Sequence, residues 1–95
     1  MAEFINEKVV GERIKQLREE NSLYAYQFAD MIGAHPNSVR AWEKGNSFPT
    51  IFYVWVICTR FKVSADWLLG IRGNKSIYEN TKGKARYEAY QSDAG

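Results

Sequence analysis

Between Leu23 and Gly45 the chain reads L-Y-A-Y-Q-F-A-D-M-I-G-A-H-P-N-S-V-R-A-W-E-K-G, and no other stretch limits the fold so much. Apolar residues recur at Leu23, Phe28, Ala29, Ile32, Val39 and Trp42, which gives each of two short helices a single apolar stripe. Gly33 falls between them, where a left-handed residue ends a helix at least cost. Ala29 is small at the point where two crossing helices must approach closely. A turn this short buries one face of the second helix and leaves the other clear of the body.

The same periodicity organises the rest of the chain. Asn6 reads as an N-cap, and Val10, Ile14 and Leu17 follow at helical spacing through a first helix that ends near Asn21. The second helix runs roughly from Tyr24 to Ile32. The third runs from Pro36, well suited to a first helical position, to Lys44, with His35 as its cap and Gly45 as its stop. Thr50 can cap a fourth helix through Phe61, whose inward side takes Ile51, Val54, Ile57, Cys58 and Phe61. Ser64 then caps a short fifth helix, A-D-W-L-L, with Asp66 in its first turn and Gly70 as its stop. The reading is an all-α domain of five helices over residues 1–70, followed by a short C-terminal tail over 71–95. That tail is charged and poor in aliphatics, so it is expected to be mobile or to form a short helix, Lys84 to Gln91, against a partner surface.

Composition sets the remaining bounds. Ninety-five residues, 45% of them hydrophobic, make one small domain with enough apolar side chain for a core. A single cysteine cannot form an internal disulfide, and no apolar run nears the ~20 residues that span a bilayer. The N-terminus does not resemble a secretory signal, so a cytoplasmic location away from membranes is expected. The net charge is +2. Residues 1–70 hold eight Lys/Arg against eight Asp/Glu and the tail five against three, so affinity for a polyanion has to come from local placement of charge. No set of groups forms a catalytic constellation or a metal site, and neither an enzyme nor a cofactor is expected.

Three motifs at mutually consistent separations, F-A-x-x-I-G, W-E-K-G and V-S-A-D-W-L-L-G, resemble the lambda-repressor-like, Cro/C1-type (XRE) helix-turn-helix family over about Val10 to Gly70. The resemblance implies a five-helix DNA-binding domain whose third helix enters the major groove of a near-palindromic operator, usually as a homodimer. The positions it places toward the bases are Pro36, Asn37, Arg40 and Ala41. Their chemistry can be weighed separately: Asn37 can pair twice with adenine N6 and N7, Arg40 can fork onto guanine O6 and N7, and Pro36 and Ala41 offer apolar surface to a thymine methyl. His35, Ser38, Lys44, Asn46 and Ser47 suit phosphate contacts that set register. The start of helix two should donate backbone N–H groups to a phosphate. Where family members carry a small hydroxyl residue and then Gln, this chain has Tyr24 and Ala25, so the contact there passes to Tyr24, Tyr26 or Gln27. Arg18 and Glu43 occupy positions that form a partly buried ion pair in some relatives.

Several residues have a plainer reading. Trp42, three positions after Val39, is a core anchor rather than a base-stacking ring. Cys58 sits among aliphatics as an inert thiol. His35 reads as a cap or backbone contact ahead of a pH switch, and the tail charges suit either DNA or water. Helix four carries more aromatic surface than one inward stripe needs. Phe52, Trp55 and Val56, with Trp67 beside them, are expected to form a dimer interface, the tail being the other candidate to cover them. The leading function is a sequence-specific regulator of transcription of the phage or mobile-element repressor kind. The alternatives are an antitoxin that represses its own operon and binds a toxin through helix four or the tail, and a protein-interaction adaptor that uses the same fold without DNA.

Overall fold

In the computed structural model, residues 6–71 are described, and they form five α-helices: α1 Glu7–Glu20, α2 Ala25–Ile32, α3 Pro36–Glu43, α4 Ile51–Phe61 and α5 Ala65–Leu68. The expected tail helix lies outside the described residues. Local chemistry accounts for most of the boundaries. Asn6 Oδ1 accepts from the Lys8 N–H at 2.8 Å, and Ser64 Oγ from the Trp67 N–H at 3.0 Å, so α1 and α5 begin on side-chain caps. Thr50 flanks α4 in extended geometry but makes no side-chain cap bond. Gly33 closes α2 in the left-handed region, at φ 76°.

Val10, Ile14 and Leu17 of α1, Phe28, Ala29 and Ile32 of α2, Val39 and Trp42 of α3, Val54 and Ile57 of α4, then Val63, Trp67 and Leu68 make one continuous core. α3 packs against both α1 and α2, while α4 closes over α2 and joins α5. Phe28 stacks on Phe61 with centroids 5.0 Å apart, which fastens α2 to the end of α4. Gly11, inside α1, is buried where the Trp42 carbonyl comes so close that a Cβ would meet it at 2.1 Å. A glycine that weakens α1 by itself thus admits the backbone of α3.

Two expected orientations are corrected. Ile51, assigned to the inward face of α4, is 79% exposed, because the first turn of α4 projects past the core and the residue buried at that end is Pro49. Trp67, assigned to a subunit interface, is 4% exposed: α5 turns it inward, and Arg13 lies over its ring at 5.1 Å and donates to its carbonyl. It is core, not contact surface.

Candidate nucleic-acid interface

With Val39 and Trp42 turned into the core, α3 carries Asn37, Arg40, Ala41 and Lys44 on its opposite side. Asn37, Arg40 and Lys44 are exposed, and Ala41 is half-buried between them. Pro36 stands at the first position of the helix, half-buried and beside this stripe. His35 caps α3: its Nδ1 accepts from the Asn37 N–H at 3.0 Å. Ser38 is half-buried and donates its backbone N–H to the His35 carbonyl at 2.9 Å, within the same first turn. Asn46 and Ser47 are exposed in the turn beyond Gly45, whose φ of 79° ends the helix.

The orientation of α3 is set from behind. Arg18 of α1 grips Glu43 through two bonds, Nε to Oε2 at 2.7 Å and Nη2 to Oε1 at 3.1 Å, and its Nη1 donates to the Leu23 carbonyl at 2.9 Å. One guanidinium thereby ties α1, the start of α2 and the end of α3 together. The Glu43 hydrogen bond raises the Arg18 pKa above its ordinary value, against the opposing effect of burial. Engagement of Glu43 also neutralises the one acid on α3, which leaves Arg40 and Lys44 as the charges on its exposed face.

Tyr53 holds the other end. Its ring packs on Trp42 with centroids 5.4 Å apart, and its hydroxyl donates to the Gly33 carbonyl at 3.3 Å. Helical spacing alone puts it off the stripe that Val54 and Ile57 mark on α4. Its second role, pinning the turn between α2 and α3, depends on a contact twenty residues away that no local pattern carries.

The start of α2 differs from the expected phosphate clamp in one respect. Gln27 turns back on its own helix, and its Oε1 accepts from the Tyr24 N–H at 2.8 Å. That N–H is therefore taken, and Gln27 retains only its amide donor for an outside partner. Tyr24 and Tyr26 are well exposed and stack on each other with centroids 6.0 Å apart.

On α4, Phe52 and Trp55 are exposed as expected, at 59% and 63%, and Ile51 in its first turn and Phe48 just before it are exposed as well. Val56 is half-buried and lines, with Met31, Trp55 and Arg60, an open groove of about 630 Å³ between α2 and α4. Burial pushes the half-buried Cys58 thiol up to about 11. Among the described residues no group of His, Cys, Asp and Glu is placed to hold a metal ion, and no helix is long and apolar enough to cross a membrane.

Two short helices at a tight turn, the second braced by α1, α2 and α4 and exposed along one polar stripe, define a helix-turn-helix domain. The family model described as helix-turn-helix matches residues 14–68, and the chain belongs to that family in its Cro/C1-type, lambda-repressor-like form. Helix-turn-helix domains are a DNA-binding fold, in which the second helix of the motif enters the major groove. Among curated proteins, the antitoxin PezA of Streptococcus pneumoniae serotype 4 (strain ATCC BAA-334 / TIGR4) is 34% identical over 56 residues, 59% of this chain. The match spans 35% of that antitoxin's length.

Solved structures share the fold. The P22 c2 repressor in complex with a synthetic operator superposes with a TM-score of 0.63 at 22% identity, covering 67% of this chain and 97% of the repressor chain. A transcriptional regulator from Listeria innocua gives 0.64 at 21% identity, over 86% of this chain and 75% of its own. The SinR/SinI complex gives 0.58 at 22%, over 90% and 77%.

Proposed function

We propose that the chain is a sequence-specific repressor of the phage or mobile-element kind, which grips a near-palindromic operator as a symmetric homodimer. The observation that carries this reading is the division of α3, with Val39 and Trp42 buried and Asn37, Arg40 and Lys44 exposed along one side. An eight-residue helix is about 12 Å long, which matches a major groove about 12 Å wide. Arg40 supplies base-matching donors with Asn37 one turn before it, while Lys44, His35, Asn46, Ser47, Ser38, Tyr24 and Tyr26 surround them with groups suited to phosphates. A protein-interaction adaptor has no use for such donors on its projecting face.

Dimerisation is assigned to the apolar patch of Phe48, Ile51, Phe52 and Trp55. These are large side chains left exposed together at the start of α4, and a symmetric contact there would bury the patch against its own copy. Binding of a duplex should weaken steeply with salt, and selection from a random pool should return a site with twofold symmetry. Binding with no sequence preference, or a salt-independent interaction, would refute the reading.

A second reading rests on the similarity to PezA. An antitoxin would repress its own operon and use the helix-four patch or the tail to hold a toxin. A toxin gene beside this one, whose product co-purifies with the chain, would decide for it.

A further inference from the structure

Asn37 and Arg40 stand one helical turn apart on the outward stripe, and in the free protein they are bonded to each other. Arg40 Nη1 donates to Asn37 Oδ1 at 3.0 Å. Considered separately, the two side chains suit two bases, adenine and guanine. A two-point contact to adenine, however, uses both ends of the Asn amide, with Oδ1 accepting from N6 and Nδ2 donating to N7. With Oδ1 directed at Arg40, the two ends of the Asn37 amide do not face one base edge together. Arg40 is in the opposite position: a guanidinium has five donors, one bond to Asn37 engages one of them, and the rest of the fork still spans guanine O6 and N7.

The surroundings favour this pairing. Asn37 is rooted in the stiff first turn of α3, where its N–H is held by His35 Nδ1. The carboxylate on the same helix, Glu43, is committed to Arg18 at 2.7 and 3.1 Å and does not compete for Arg40. A long exposed arginine loses rotamer freedom when it docks on a base, and a bond that already restrains it lowers that cost.

We propose that Asn37 is a positioning residue that aims the Arg40 guanidinium at a guanine, and that the pair reads one base pair per half-site as a unit. This inference rests on the DNA-binding reading given above. The test is duplex selection with the full chain and with Arg40→Ala, Asn37→Ala, the double variant and Asn37→Asp, each checked for helix content by circular dichroism. Both side chains are exposed, so the variants keep the fold.

Arg40→Ala should erase a guanine preference at one base pair of each half-site. Asn37→Ala should weaken the preference at that same base pair, by about threefold to tenfold, and the double variant should behave as Arg40→Ala alone. Asn37→Asp retains an oxygen that accepts from Arg40 but has no amide donor for adenine N7. It should keep the guanine preference while its added negative charge lowers affinity on all sequences alike. Loss of discrimination at a second base pair in Asn37→Ala, additive losses in the double variant, or disappearance of the guanine preference in Asn37→Asp would each overturn the inference and leave the DNA-binding reading standing. A wild-type chain that selects no motif would overturn that reading, and the inference with it.

Discussion

Replacing Gly11 with alanine sets two effects of known sign against each other. In an exposed helix interior the change is favourable by about 1 kcal/mol, because alanine surrenders less backbone entropy. In α1 the new Cβ would lie 2.1 Å from the Trp42 carbonyl oxygen and 3.1 Å from that of Glu43. Ordinary carbon to oxygen contact is about 3.3 Å, so α1 and α3 have to separate by roughly 1 Å, and no side-chain rotation relieves a clash with backbone. A shift of that size through a close-packed interface costs about 1 to 3 kcal/mol. The upper end applies, because the Arg18 to Glu43 pair spans the same interface. The net expectation is a loss of about 2 kcal/mol, which for a domain this small lowers Tm by about 8 to 16 °C. Thermal unfolding followed by circular dichroism measures it. Gly33 provides the control: a Cβ there meets nothing within 4 Å, but φ is +76°, so Gly33→Ala should cost about 1 kcal/mol through backbone strain alone and Gly33→Asn should recover part of it. If Gly11→Ala raises Tm, or if Gly11→Asn recovers stability as Gly33→Asn does, the steric account of Gly11 is wrong.

The other expectations are more direct. Trp42→Ala should cost about 3 to 5 kcal/mol by opening a cavity beneath α3, seen as a collapse in the denaturant midpoint; a stably folded variant would contradict the core role. Lys44→Ala should weaken binding to all duplexes evenly and make the salt slope shallower by about 1 per half-site, while a change confined to one base pair would make Lys44 a base reader. Trp55→Glu should separate a dimer into monomers of unchanged helix content, because the side chain is 63% exposed on its own subunit; an intact dimer by sedimentation would remove α4 from the interface. Cys58 favours its thiol form up to about pH 11, so at about pH 8 the folded chain should be alkylated far more slowly than the denatured one, and equal rates would show that the thiol is not screened.

What could be read in advance divides by the range of the interaction. The caps at Asn6, His35 and Ser64, and the glycine stop at Gly33, are settled by chemistry within three residues, and sequence reasoning reached them. Trp42 was legible because α3 is long enough for its period to separate inside from outside. α5 has four residues, too few for a period to point Trp67 one way, and its place in the core beneath Arg13 is set by packing from other elements. Ile51 shows the complementary failure: the repeat marks the correct side of α4 but not where the core beneath it ends. Gly11 does carry a local signal, since a glycine between Val10 and Glu12 weakens a helix without local benefit and therefore marks a close approach. The Arg40 to Asn37 bond is three residues in range, but helical spacing alone does not distinguish two exposed polar side chains that bond each other from two that face a ligand.

The Arg18 to Glu43 clasp separates two duties that short helices usually mix. Everything that aims α3 lies on its inward side and in other elements: Val39, Trp42 and Glu43, with Arg18, Gly11 and Tyr53 behind them. Everything available to touch a ligand lies on residues that the clasp does not use. Asn37, Arg40 and Ala41 can therefore be exchanged as a set without moving the helix that carries them, so the chain is a fixed mount with a replaceable face, and a new address on DNA requires new side chains there and no change of fold.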